Sequence, residues 1–344
     1  MKITTIGLDS AKAVFHLVAV NHMGRLVQKK QLKRHQVLTY MANIEPCVIA
    51  MEACGGANYW ARELNALGHQ VKLIAPQYVK PFVKGNKNDY NDATAIAEAA
   101  QRPNMRFVPI KSVEQQDIQN FHRQRERLKK ERTALVNQIR GLLAEYGLVI
   151  NQGIAAVRRG LPEVLEDAQN GLTPHSRALF AALLDELRVL DQRVADCEER
   201  IVTVNKDNAI CGRLEGVLGI GPITASAVYA AAGDGKDFVN GRHFSAWLGL
   251  VPGQHSSGGK SVLLGISKRG NAYLRTLFIH GARSVLLHAA NKNDRFSRWA
   301  QNVLARRGHN KACVAVANKL ARIAWVVMAK GETYRPATSV AALQ

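Results

Sequence analysis

Two short apolar runs, ITTIGLD at residues 3–9 and CVIAME at residues 47–52, each end on a carboxylate, Asp9 and Glu52. An ionised carboxylate at the end of a buried strand is costly to desolvate unless water, a hydrogen bond or a cation meets it. The neighbouring pattern restricts what these runs can belong to. AVFHLVAV (13–20) reads as the strand partner of the first run, and Asn21 to Gly24 as the turn into a third strand, RLVQKKQL (25–32), whose alternation fits a half-exposed edge. After a short helix, CVIAME and QVKLIAP (70–76) are separated by YWARELNALG, a helix closed by Gly68, so the two runs are expected to lie parallel in a βαβ unit. The order βββαβαβα with a mixed sheet is that of an RNase H-like α/β domain, expected over residues 1–110.

A helical region is expected over residues 111–208. Ile118, Phe121, Arg125, Leu128, Arg132, Leu135, Ile139, Leu142 and Tyr146 follow a three-four spacing, and Leu183, Leu187, Leu190, Val194, Cys197 and Ile201 repeat it. The pattern fits an antiparallel coiled-coil hairpin, an intermolecular coiled coil or an ordinary helical bundle. Residues 209–344 read as a mostly helical third domain, with helices at PITASAVYAA, HFSAWLGL, NAYLRTLFIHGARSVLLHA and NKACVAVANKLARIAWVVMA, and a glycine-rich loop between the second and third.

Lysine and arginine number 47 against 27 acidic residues, a formal net charge of +20, which points to a polyanionic partner, nucleic acid first. No apolar run is read as reaching the roughly 18 residues of a membrane span, and residues 1–9 lack the layout of a signal peptide, so a cytoplasmic protein without a membrane role is expected. The five cysteines form no CxxC pair, which fits a reducing compartment and argues against zinc.

Asp9 and Glu52 have company. GNKNDYNDATAIAEAA places Asp89 and Asp92 three residues apart at the start of a helix, on one face of it. In an RNase H-like sheet the first and fourth strands are neighbours, so all four carboxylates can converge on Mg²⁺, an ion that takes a few carboxylates plus a substrate phosphate. Taken singly, Asp89 or Asp92 would more commonly be a helix cap. GVLGIGPITASAV carries the Gly219-x-Gly221 turn of a helix-hairpin-helix element, in which backbone N–H groups meet phosphate, or of a tight helix connection. HSSGGKS reads as a flexible loop contacting phosphate; a serine nucleophile there is chemically conceivable, and the residues leave Ser256, Ser257 and Ser261 as equals. Lys260, Lys268, Arg269, Arg275, Arg283, Arg306, Arg307 and Lys311 read as phosphate contacts.

IGLDSAK, MEACGG, KNDYNDATAIAEA, VLGIGPITASAV, FSAWLGLVPGQHSSGGKS and SKRGNAYLR, in this order and over nearly the whole chain, resemble the DEDD transposases of insertion sequences, the family that includes the Piv-type DNA invertases. The resemblance implies a RuvC-like N-terminal domain binding Mg²⁺ through Asp9, Glu52, Asp89 and Asp92. It also implies a C-terminal transposase domain with Ser257 as nucleophile, guidance by a structured noncoding bridge RNA that pairs with donor and target DNA, and assembly as a homo-oligomer up to a tetramer. The basic stretch HRQRERLKKER then offers Arg123, Arg125, Lys129 and Lys130 as backbone contacts or as a solvated helix face. Aromatic residues make up only 6% of the chain, which fits a protein that grips backbones and leaves sequence reading to base pairing. Two other classes compete: a RuvC-like endonuclease that hydrolyses DNA junctions, and a non-catalytic nucleic-acid-binding protein. An actin-like ATPase is disfavoured because no second phosphate loop is present.

Overall fold

Alternation along the first strands decides which side chains face which layer. The computed structural model describes residues 2–86 and 88–335, which divide into two units, one ending at Val113 and one beginning at Glu114. In the first, β1 (Thr5–Ser10), β2 (Val14–Val20) and β3 (Leu26–Lys33) form the antiparallel meander. Beyond α1 (Val37–Ala42), β4 (Val48–Glu52) pairs parallel with β1, and α2 (Ala57–Ala66) leads to β5 (Gln70–Ile74), parallel to β4. After the single turn α3 (Pro76–Val79) and α4 (Asp89–Ala100), β6 (Phe107–Val108) adds an antiparallel edge, giving the order β3-β2-β1-β4-β5-β6. The two residues of β6 are too few to show a period, and the sequence reading contains no strand there.

Ile6, Leu8, Phe15, Leu17, Ile49 and Met51 are fully buried on one face of this mixed sheet, where they pack with Val37 and Met41 of α1 and Trp60 and Leu64 of α2. Each contributes roughly 1.5–3 kcal/mol of burial. The other face is covered by α4, whose Ala93 and Ala97 meet Val18 and Val20. A Cβ on Gly7 would lie 2.0 Å from the carbonyl oxygen of Ala93 and 2.7 Å from the nitrogen of Ala97, so glycine is what lets this helix lie directly on β1.

The second unit is built on α5 (Val113–Ala144) and α7 (Pro174–Asn205), joined through α6 (Ile154–Glu166). The long helices run antiparallel, because Arg125 Nε donates to Glu198 at 2.7 Å and Arg132 donates to Asp191 at 3.0 Å. Asp191 also accepts from Arg158 of α6. Leu128, Leu135, Ile139 and Leu143 pack with Phe180, Leu187, Leu190 and Val194, so the seam is filled within the chain and not by a second copy. Leu184 is buried in the seam, with Leu183 only partly so, and His122 is buried where the spacing favours Phe121. The imidazole of His122 bridges Tyr273 Oη (2.9 Å) and Ser226 Oγ (3.0 Å). Because Ser226 Oγ donates to the Pro222 carbonyl, Nε2 carries the proton and the tyrosine donates to Nδ1. Burial, aided by the charge of Arg125, holds the imidazole neutral with its pKa pushed down to about 4.

The remaining helices are α8 (Ala209–Glu215), α9 (Pro222–Ala232), α10 (Gly241–Trp247), α11 (Ala272–Ala289), α12 (Arg295–Arg307) and α13 (His309–Lys330), packed around Phe244, Phe278, Leu320 and Ala324. The segment expected to be a flexible loop is instead a hairpin of β7 (Pro252–Ser257) and β8 (Lys260–Ile266). Gly258 (φ 55°) and Gly259 (φ 78°) supply the two left-handed residues that a two-residue turn requires. By length and composition alone α13 could cross a bilayer, although Lys319 and Arg322 interrupt its apolar run; half of that stretch is buried, with Val316, Leu320 and Ala324 in the core of this unit.

Gly7→Ala is expected to destabilise the first unit by about 2 kcal/mol or more, the cost of overpacking against backbone. A denaturant titration that leaves the midpoint unchanged would show that α4 does not depend on this close approach.

Candidate active site

The pleat places Thr5, Gly7 and Asp9 on the face of the sheet covered by α4, opposite Ile6 and Leu8. His16 is the cross-strand partner of Asp9, and Glu52 extends β4 one residue past the Leu8–Met51 pair, on the same face. Asp89 and Asp92 occupy the first turn of α4. Neither is the helix cap: Asn88 fills that role, its side chain accepting from Tyr90 N at 2.9 Å. Of the four carboxylates expected from sequence, the structure gathers Asp9 and Asp89 with His16, while Asp92 and Glu52 lie near enough to act on Asp9 or to be acted on by it electrostatically.

Ligand atoms of Asp9, His16 and Asp89 lie within 4.8 Å of one another, and His16 Nδ1 is 3.4 Å from Asp89 Oδ2. The imidazole ring sits edge-on to Tyr90 at 4.8 Å. Burial, then the charges of Asp92 and Asp89, raise the pKa of Asp9, while His16 opposes the shift. Glu52 is raised by burial, then by Asp9 and Asp92. Among the described residues none of the four carboxylates pairs with lysine or arginine. A set of oxygen donors that repel one another, Asp9, Glu52 and Asp92 half-buried and Asp89 exposed, with one ring nitrogen beside them, fits a divalent cation. His16 was legible only through register: the meander that pairs residue 9 with residue 16 puts both on one face.

Ser257 lies in the second unit, at the last position of β7, exposed and paired with Lys260 across the turn. The three serines are not equivalent. Gln254 Nε2 donates to Ser256 Oγ (2.7 Å) and Ser261 Oγ (3.2 Å), which occupy one face of the hairpin, whereas Ser257 and Lys260 occupy the other.

The cationic candidates divide. Arg123, Lys130, Lys260, Lys268 and Arg269 are exposed. Lys129 and Lys130 border a cleft of about 490 Å³ with Tyr273 and His280. Arg125 does not fit an open backbone contact, because it is buried and committed to Glu198. Arg275 donates to the Leu248 carbonyl at 3.0 Å. Gly219 (φ 80°) has a packing role: a Cβ on Gly281 would meet its carbonyl oxygen at 2.0 Å, so the α8–α9 turn lies against α11. Gly221, at the start of α9, faces open space.

A mixed sheet whose strand ends and covering helix carry carboxylates is consistent with an α/β domain of the DEDD, RNase H-like class. Residues 6–148 match the IS110 DEDD family, described as Transposase, and residues 211–298 match the Transposase IS116/IS110/IS902 family. Relatives along nearly the whole chain include a probable family 20 transposase of Pseudomonas aeruginosa, 52% identical over 98% of this chain and 100% of its own length. The transposase for insertion sequence element IS1111A of Coxiella burnetii is 49% identical over 97% of this chain and 92% of its own. That for IS1328 of Yersinia enterocolitica is 41% identical over 96% and 98%. The chain belongs to the IS116/IS110/IS902 family of transposases, enzymes that move insertion sequences and cut DNA.

The raised carboxyl groups give a signed expectation. A carboxyl whose folded pKa exceeds its unfolded value contributes stability at low pH and loses it as pH rises through the folded value. Without divalent metal, Asp9→Asn should therefore melt higher than the parent at pH 7.5, and the gap should close in acid as Asp9 takes up its proton. Added Mg²⁺ or Mn²⁺ should raise the melting temperature of the parent and not of Asp9→Asn. A metal shift that survives in the variant would remove Asp9 from the site.

Proposed function

We propose that the chain recombines an insertion sequence with its target by cutting and rejoining DNA through a covalent phosphoserine, in the bacterial cytoplasm and under guidance of a structured noncoding RNA. The observation that carries the reading is the pairing of two features in one transposase: a carboxylate set suited to a divalent cation, and a serine displayed on a glycine-turned hairpin beside a lysine. Its partners are the bridge RNA, donor and target DNA, and further copies of the chain up to a tetramer. The net charge of +20 supports a role in which the protein holds backbones and base pairing reads sequence.

Asp9, Glu52, Asp89 and Asp92 would hold Mg²⁺, whose chemistry there is to offset the charge that develops on a phosphoryl oxygen. His16 is a positioning residue that keeps the exposed Asp89 carboxylate turned towards Asp9. Ser257 Oγ forms a bond to the scissile phosphorus while the bond to the 3′ oxygen breaks; the serine loses a proton and the departing 3′ oxygen gains one. A 3′-OH of the second DNA then reverses the step, so phosphodiester bonds are conserved in number. Lys260, across the strand from Ser257, supplies a cation to the phosphate. Ser256, engaged by Gln254, is the weaker candidate for nucleophile.

The protein, co-expressed with the noncoding DNA that flanks its gene, is to be incubated with labelled element-end DNA and Mg²⁺ and resolved on a denaturing gel. A 5′-linked protein–DNA adduct is expected, persisting in Ser256→Ala and absent from Ser257→Ala, Asp9→Ala and Glu52→Ala. Cleavage without an adduct, unaffected by Ser257→Ala, would favour hydrolysis by the carboxylate site instead. His16→Ala should weaken Mg²⁺ binding, read by calorimetry, by about tenfold; an unchanged affinity would deny it the positioning role.

A further inference from the structure

The second unit contains a cavity that neither the carboxylate site nor the serine hairpin uses. It has a volume of about 810 Å³ and is formed by the start of α10, one face of α13 and residues 332–335. Four cationic side chains line it, Arg242, Lys319, Arg322 and Arg335, against one acid, Glu332. Among the described residues none of the four makes an ion pair. Lys319, Arg322, Ile323 and Val326 stand at positions i, i+3, i+4 and i+7 of α13, so charge and apolar surface share one stripe of the helix.

The walls are fixed before any ligand arrives. Trp325 Nε1 donates to the carbonyls of Gly235 (3.0 Å) and Phe238 (3.2 Å), which holds its ring at the cavity. Lys319 Nζ rests 4.1 Å from the Trp299 ring centroid and 5.3 Å from that of Phe296. A Cβ on Gly241 would meet the backbone of Arg322 at 3.0–3.1 Å, so the start of α10 is seated against α13. Burial and the charges of Arg295 and Arg322 lower the pKa of Lys319, the expected response of a cation crowded by its own kind.

Unpaired cations repelling one another beside apolar and indole surface are complementary to a ligand that is anionic at one end and flat and weakly polar at the other. We propose that this cavity takes a single unstacked nucleotide of a nucleic-acid strand, its phosphate among Lys319, Arg322 and Arg242 and its base against Ile323 and Trp325. A paired duplex keeps its bases inside the stack and can offer such a cavity only phosphate; a bulged or looped-out nucleotide offers both parts. The inference rests on the reading that the chain handles nucleic acid, and adds where an extruded nucleotide is held. DNA and RNA share the chemistry.

The test is a binding titration of the full chain in EDTA, using a labelled duplex and the same duplex with one bulged adenosine, each made in DNA and in RNA. The bulged form should bind about tenfold more tightly, and the sugar with the larger ratio identifies the strand. Ile323→Trp, which puts an indole into the space assigned to the base without removing charge, and Lys319→Ala/Arg322→Ala, which removes charge, should each bring the ratio to about one while leaving duplex binding by the former unchanged. Thermal melts confirm that both variants fold. Equal affinity of the parent for bulged and paired forms would overturn the inference, as would a ratio that survives in folded Ile323→Trp. Loss of all nucleic-acid binding by the parent would instead overturn the functional reading beneath it.

Discussion

The closeness of α4 to β1 is the constraint on which the first unit depends. Where Gly7 lacks a side chain, the backbone of Ala93 and Ala97 rests directly on the strand, and the first turn of the helix is carried to the strand end that bears Asp9. The carboxylates therefore converge through backbone packing, not through any attraction among themselves. The cost of burying them, with their mutual repulsion added, raises Asp9 and Glu52 and is borne by the alanine-to-glycine contact and by the buried layer on the far face of the sheet. A site assembled against its own electrostatics keeps a standing demand for a cation.

Much of this was open to reading from the sequence because strand alternation and helix caps are local signals. The meander, the parallel neighbours β1 and β4 and the turn of α4 follow from apolar runs and their punctuation. His16 was not read, because its meaning lies in cross-strand register and not in any property of AVFHLVAV. The serine loop went the other way. Its Gly258–Gly259 pair is a strong hairpin signal, yet the many glycines and polar residues around it suggested flexibility, and only pairing separates Ser257 from Ser256. Arg125 and Gly219 show the limit of composition: a basic residue in a basic run, and a glycine in a phosphate-type turn, turn out to be held by Glu198 and by Gly281.

The second unit shows how a strongly cationic chain can still build a packed interior. Its acids are few, and several are placed where they join helices, as Glu198 joins α7 to α5. The buried polar bridge of His122, Tyr273 and Ser226 does the same work without charge, linking α5, α11 and α9. The surplus of positive charge is thereby left to surfaces and clefts.

Asp191 answers to two guanidinium groups, Arg132 from α5 and Arg158 from α6. The arrangement makes the cost of sequence drift at this junction depend on position. Exchange of either arginine leaves the carboxylate with one partner, whereas loss of the aspartate strands both cations, one of them only 15% exposed. A change at 132 or 158 is therefore the smaller step and a change at 191 the larger.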